Sequence, residues 1–420
     1  MNSAKTQTVQ PCSTCLPEGI TFSTQAQIDG FQVNYPYCTE IEGDVIIQGS
    51  SIINLNGLSV LTSIGGSLSI RHNDLLSDLM GLNNLTHIGS LLSIEFNDSL
   101  KNITALINLT DIGTFIYLQG NAALTSLNGL EGITTIERLE IWNNDMLTSL
   151  MGLENLISIN GWLSVYHNNS LVNFSGLNQL DSIGGELIIT FNAGLINMEG
   201  LEGLTYVGSS LQIGYNDNLT SLEGLDELTY IRLGLFIGYN PNLTNISNLI
   251  NLTTVKHAVW IESNGILESL SGLDNVNYSV FDSLYICYNT MLSECDVQSV
   301  CDYLSHYSYF TVINNNDAGC NSKEEIEALC SIGIDESSVV GLQSSVNIYP
   351  SPTYNNITIE LINVQKNTTL AIFNINGQAI LSRQITEPIS NVDVSGLSSG
   401  IYYVKVVSDE GLMGGKFVKK

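Results

Sequence analysis

Basic residues are scarce in this chain: 13 lysines and arginines stand against 41 acidic side chains, a formal net charge of −28. Affinity for phosphate backbones rests on clustered Lys and Arg, so nucleic acid is excluded as a partner. Charged residues of either sign make up only 13% of the 420 positions, while 44% are hydrophobic. That much apolar material excludes intrinsic disorder. No run approaches the roughly 18 uninterrupted apolar residues that a membrane-spanning helix needs. The acidic excess is uneven. Residues 341–420 hold six basic and five acidic residues, which leaves seven and 36 for the first 340. The chain is therefore expected to have two differently built parts.

What is present is a repeat. The pattern L-x-I-x-x-N closes on Asn73, Asn97, Asn121, Asn144, Asn168, Asn192, Asn216, Asn240, Asn264 and Asn289, at spacings of 23 to 25 residues. A weaker turn lies at Asp44–Gly49. After each Asn comes x-x-L-x-x-L-x-G-L-x-x-L-x-x-I, as in Leu76, Leu79, Gly81, Leu82, Leu85 and Ile88. A unit of this size cannot bury its own apolar face, so consecutive units must stack as a solenoid. The alternating L-x-I segment reads as a strand with one face buried. Stacked in register, such strands form a parallel sheet with about 4.8 Å per coil. The Asn amide is expected to bond backbone groups of adjacent coils where the ladder ends. Gly81, Gly129, Gly152, Gly176, Gly200, Gly224 and Gly272 fit a turn of positive φ or close packing. Asn248 and Ala105 replace that glycine, Asn being tolerable at positive φ.

The strand and its Asn resemble leucine-rich repeats. The fuller turn G-L-x-x-L-x-x-I-G looks more like the receptor L-domain, a right-handed β-helix related to them. The resemblance covers about residues 40–295 and says nothing of a ligand. The fold expected is mainly β: a parallel β-solenoid of about 24 residues per coil over 44–294, with small helical caps, and a small β-sandwich at the C-terminus.

Both open ends of a solenoid need caps. Residues 1–43 form the N-terminal segment and cap, with a helix over Thr24–Tyr35 that carries Ile28 and Phe31 and has Ser23 as N-cap. Residues 295–330 form a Cys-rich helical cap, with short helices at Asp296–Tyr303 and Lys323–Cys330. Six of the eight cysteines flank or sit on the cap helices: Cys15, Cys38, Cys295, Cys301, Cys320 and Cys330. They read as disulfide staples of an oxidising compartment, and their pairing is left open by the sequence. Cys12 and Cys287 are left over, Cys287 as a free thiol at an outward strand position. Cys12–Cys15 is a lone C-x-x-C without the second pair of a zinc ribbon.

Residues 331–345 are Ser-rich and read as a linker. The last segment, 346–420, holds strand-like runs at Asn356–Leu361, Thr369–Phe373 and Ile401–Val407, with Asn376-Gly377 as a hairpin turn. It resembles the C-terminal sorting domain of the type IX secretion system of Bacteroidota. The matching residues are Tyr349-Pro350-Ser351-Pro352-Thr353, Phe373 to Gln378, Val392 to Leu397, Gly400-Ile401-Tyr402-Tyr403-Val404, and Lys416-Phe417-Val418-Lys419-Lys420. Such a tail implies the type IX machinery as a partner and a secreted or outer-membrane surface location. That route starts with a Sec signal peptide, and MNSAKTQTVQ shows none; the expectation is a trimmed form or a start assigned too far downstream.

No catalytic or metal constellation stands out, and no cofactor is expected. The five histidines lack ligand spacing. His72 and His167 share a register but lie four coils, roughly 19 Å, apart. The outward strand positions are more informative. The residues four, two and one before each closing Asn include 11 aromatics among 30 positions, where the chain-wide 8% predicts two or three. The residue just before the Asn is expected to tuck inward; without it, six aromatics remain among 20. Exposed aromatic surface of this size marks a partner, and rings stacked merely to stiffen the sheet are the plainer alternative. The candidate binding residues are Tyr117, Trp142, Tyr166, His167, Tyr215, Phe236, Tyr239, Trp260 and Tyr285. The function expected is non-catalytic recognition or adhesion, toward an unknown protein or glycan. A secreted glycan-processing enzyme using coil carboxylates, or a passive cell-envelope structural protein, are the alternatives.

Overall fold

The computed structural model describes residues 13–306, 310–332, 347–350, 353–361, 368–374, 379–398, 400–408 and 411–420. It divides into two compact units after Cys330. Cys12, Pro352, Asn376, Gly377 and nearly all of the linker fall outside the described residues.

The first unit is the expected solenoid. Among the described residues, thirteen parallel strands form one sheet, from Ile20–Phe22 through Leu68–Arg71 and Leu211–Gly214 to Thr311–Asn314. The paired positions keep their register: Leu139, Leu163, Leu187, Leu211 and Leu235 lie side by side. The leucines and isoleucines of every coil merge into one continuous core reaching from Phe22 to Ile326. Two-residue strands stack on another side of the coil in two separate sheets. The seam lies between Asp111–Ile112 and Thr135–Ile136. It coincides with the 23-residue coil, where two residues rather than three separate the short strand's Ile from the next long strand's first core residue.

The closing asparagines do what their position predicts, and more. Asn168 is fully buried. Its Nδ2 donates to the carbonyls of Ile141 (2.7 Å) and Tyr166 (3.2 Å), and its Oδ1 accepts from the backbone N–H of Asn144 at 3.0 Å. The motif repeats from Asn73, which accepts from Gly49 N–H, to Asn289, whose N–H reaches Asn316. Asn316 closes one rung more than the pattern predicted: Thr311-Val312-Ile313-Asn314-Asn315-Asn316 is a degenerate copy with Thr in place of Leu. The C-terminal cap is thus not purely helical. Likewise the Ile20–Phe22 strand adds a rung inside the N-terminal cap.

Several details differ from expectation. Thr24, not Ser23, is the helix N-cap, because Thr24 is the extended residue whose hydroxyl accepts from Gln27 N–H while the Gln27 side chain accepts in return. Gly30 divides the helix into Gln25–Asp29 and Phe31–Asn34. The C-terminal helices run Gln298–His306 and Lys323–Ile332. The seven turn glycines all have positive φ, between 104° and 120°. At Gly152 an added Cβ would also sit 2.2 Å from the Leu127 carbonyl. Asn248 and Ala105 do not copy that conformation. Their coils switch to 3-10 turns at Ser247–Leu249 and Thr104–Leu106, which spares a residue with a Cβ the left-handed region.

The pairing open in the sequence is Cys15–Cys38, Cys295–Cys320 and Cys301–Cys330. Cys287 is free, yet buried despite its outward register. The second unit is a pair of antiparallel sheets. One joins Asn347–Tyr349, Asn356–Glu360 and Ile389–Asp393; the other orders Ala379–Ile385, Thr368–Asn374, Gly400–Ser408 and Gly411–Lys419. Ile357, Ile359, Leu370, Ile372, Val404 and Phe417 share its core.

Asn168→Ala orphans the buried N–H of Asn144 and the carbonyl of Ile141. Each unsatisfied group costs roughly 1–3 kcal/mol, so denaturant unfolding is expected to show a loss of about 2–6 kcal/mol. Asn168→Asp should lose a comparable amount, because a carboxylate cannot donate to the two carbonyls. A loss below about 0.5 kcal/mol in both variants would remove the amide ladder from the account of coil stacking.

Candidate recognition face

The outward side of the thirteen-stranded sheet carries the aromatic residues. The residue before each closing Asn does not tuck inward. His72, Phe96, Asn143, His167, Phe191, Tyr215, Tyr239, Ser263 and Tyr288 all have φ between 52° and 60°. The left-handed turn swings them outward, and Phe96, Tyr215, Tyr239 and Tyr288 are 38–52% exposed. Adjacent coils then stack these rings. His167, Phe191, Tyr215 and Tyr239 form one row, with centroids 4.8, 4.4 and 4.5 Å apart and planes within 23°, 2° and 4°. Coils about 4.8 Å apart with rings so nearly parallel place the ring planes across the solenoid axis. The row therefore shows its edges and its phenol hydroxyls, with ring faces covered except at the ends of the row. Phe191 belongs to this row although the candidate list omitted it.

A second row follows the position four before the Asn, mixed with the position two before it. Tyr117 meets Trp142 edge-on at 5.4 Å, Trp142 meets Tyr166 at 6.0 Å, and Tyr166 touches His167 at 4.3 Å. Further along, Phe236 lies 6.1 Å from Trp260, and Trp260 stacks on Tyr285 at 4.4 Å. All nine candidates thus lie on one face, none of them fully buried. Phe191 joins the rings over the coils of residues 117–167 to those over 215–285.

Each carboxylate on this face is held by a neutral donor. Ser93 Oγ donates to Glu95, Trp162 Nε1 to Glu140 at 2.7 Å, and Trp260 Nε1 to Glu262 at 2.8 Å. Tyr239 Oη adds a 3.3 Å bond to Glu262. Trp162 is itself covered by the Arg138 guanidinium, 4.0 Å from the ring. Burial, then the charges of Glu95 and Glu140, push the Tyr117 phenol up to about 12. Burial, then Glu262, raises the Cys287 thiol. Among the described residues no His, Cys, Asp and Glu cluster to hold a metal.

An open trough of about 210 Å³ lies over Gly214 and Gly238, which face each other on neighbouring strands. Tyr215 and Tyr239 border it on one side, Phe236 and Trp260 on the other, with Thr190, Gln212 and Glu262 completing the lining. Gln212 is held by Glu186 at 2.6 Å. The two glycines stand out in the sequence only by comparison between coils, since the others carry side chains two residues before the Asn.

In the second unit Tyr402 is buried, stacks on Phe417 at 5.5 Å and donates to the Ser398 carbonyl at 2.9 Å. Lys419 is buried and its Nζ donates to the Lys420 carbonyl. Pro350 follows the Asn347–Tyr349 strand, and Gly400 opens the Gly400–Ser408 strand.

The Tyr117 phenol gives a pH prediction. Its proton is held more tightly in the folded chain than in the unfolded one, where the usual value is 10.0. The stability it contributes is whole below pH 10 and is lost as pH rises toward 12. The phenolate absorbance difference between the parent and Tyr117→Phe should show one tyrosine titrating late. Glu140→Gln should bring that step to lower pH, and an unmoved midpoint would dismiss the Glu140 contribution.

Residues 37–129 match the family model described as receptor L domain, and residues 347–420 match that of the secretion system C-terminal sorting domain. No curated protein shows detectable similarity to the chain. Among the described residues no helix is long and apolar enough to cross a membrane. The chain thus couples a solenoid similar to receptor L domains with a secretion-system sorting tail, and that tail addresses the protein to the type IX machinery for release or display at the cell surface.

Proposed function

We propose that this is a non-catalytic recognition or adhesion protein whose aromatic sheet face engages a protein or glycan outside the cell. One observation carries the reading. Bulky aromatic residues recur at left-handed backbone positions, where they are costly, and are held there outward and exposed. A left-handed residue with a Cβ costs roughly 1–2 kcal/mol. Stacking returns about 0.5–1.5 kcal/mol per ring pair, so the rows gain little for the fold alone. Aromatic rings give large contact area at low entropic cost, and such residues dominate interface energetics. The receptor-like fold and the export tail are consistent with a role at the cell surface.

The test is an array of glycans and extracellular proteins probed with the full chain. Trp142→Ala and Trp260→Ala together are expected to weaken the strongest signals at least tenfold, which corresponds to about 1.4 kcal/mol, without lowering the unfolding temperature of the solenoid by more than a few degrees. Unchanged signals in the folded double variant would favour a passive spacer instead.

A further inference from the structure

The trough over Gly214 and Gly238 is a gap in an otherwise filled row. The position two before the Asn carries Arg71, Glu95, Gln119, Trp142, Tyr166, Thr190, Glu262 and Cys287 in the other coils. Thr190, Gly214, Gly238 and Glu262 are directly paired across four neighbouring strands. Both glycines lie on extended strands rather than in left-handed turns. A Cβ on Gly214 would meet the Gly238 carbonyl at 3.1 Å and Thr190 Cγ2 at 3.8 Å, and one on Gly238 the Glu262 carbonyl at 3.1 Å; these are tight contacts that a small local shift would have to relieve, and in-register Thr190 and Glu262 carry full side chains. Their extended conformation does not demand glycine; what the two glycines do is bare the strand between two aromatic walls.

We propose that this trough binds one neutral hexose unit of a glycan, a step that rests on reading the sheet as a recognition face. Size comes first. A volume of about 210 Å³ lies below the roughly 300–1,000 Å³ of drug-sized pockets, which suits a single ring. Two missing side chains clear about 10 Å along the solenoid axis, so a chain of sugars can enter and leave along it. Chemistry follows. The lining offers phenol hydroxyls of Tyr215 and Tyr239, the Gln212 amide, the Thr190 hydroxyl and the Glu262 carboxylate, beside Phe236 and Trp260. An ionised carboxylate has about four acceptor sites, of which Trp260 and Tyr239 occupy two, leaving two for sugar hydroxyls. The bare glycine backbone and the apolar rings take the C–H face.

Charge selects among sugars. No lining residue is basic, so a uronate or sialate would confront Glu262 without a counter-ion, in a segment with 29 more acidic than basic residues. A cationic peptide side chain is the rival occupant. It would use Glu262 but, carrying only donors, could not accept from the Thr190 and Tyr215 hydroxyls.

The test is isothermal titration of the full chain with neutral oligosaccharides built from glucose, mannose, galactose and N-acetylglucosamine, with a uronate oligomer and an arginine-rich peptide in parallel. At least one neutral series should bind saturably, and the uronate should bind at least tenfold more weakly. Gly238→Gln, which plants the Gln119 side chain in the trough, and Gly214→Thr, which extends the Thr190 row, should each weaken binding at least tenfold. Thermal unfolding identifies which of the two variants keeps the fold and serves the comparison. Neutral sugars that bind equally well to a folded filled variant, a uronate or peptide that binds more tightly than any neutral sugar, or no neutral binding at all would each overturn the proposal. Array binding that survives Gly238→Gln but is lost in the Trp142 and Trp260 double variant would overturn the trough alone and leave the recognition face standing.

Discussion

The side-chain amide of one asparagine per coil is the interaction on which the rest of this structure depends. Each amide joins two coils, as at Asn168: its own through the Tyr166 carbonyl, and the preceding one through the Ile141 carbonyl and the N–H of Asn144. Net contributions of about 1 kcal/mol per hydrogen bond, with several bonds per Asn, exceed the roughly 1–2 kcal/mol cost of the left-handed residue beside it. The amide therefore wins, and the strained turn persists in coil after coil. The strain has a consequence for the surface. A residue in that turn projects outward, and because the coils are in register, successive projections stack. The geometry that closes the strand fixes where these residues point and that they stack, but not that they are aromatic, since Asn143 and Ser263 fill the same position in other coils.

Electrostatics shape what the face can meet. The excess of acid is not neutralised by ion pairs. Among the described residues the recorded pairs are two exposed His–Asp contacts and one Lys323–Glu327 contact, and exposed pairs of this kind contribute little. On the face itself Glu95, Glu140 and Glu262 are held by hydroxyl and indole donors. They are carboxylate acceptors in an aromatic setting, suited to hydroxyl-bearing or cationic groups and hostile to anions.

The ends of the solenoid face a different constraint. A stack of coils exposes core and unpaired strand at each end, which invites edge-to-edge association. Cys15–Cys38 staples the first coils, and Cys295–Cys320 with Cys301–Cys330 staples the last. Such staples persist outside the reducing cytoplasm, in keeping with the export that the tail of residues 347–420 specifies.

Much of this was legible from the residues alone. The 24-residue period, the buried Leu and Ile positions, the role of the closing Asn and the positive φ of Gly81 or Gly152 are local or strictly periodic properties, and periodicity is written along the chain. The sorting tail was legible because its motifs are contiguous. Other features were decided by contacts between coils. The cysteine partners, the burial of Cys287, the degenerate rung ending at Asn316, and the outward swing of Phe96 and Tyr239 depend on which residues the stacking brings side by side. The trough needed Gly214 and Gly238, 24 residues apart, to be recognised as neighbours, with Glu262 at its edge. A one-dimensional pattern shows that each of these residues is unusual; only the register between strands, set by the shared core and the amide ladder, makes them a single site.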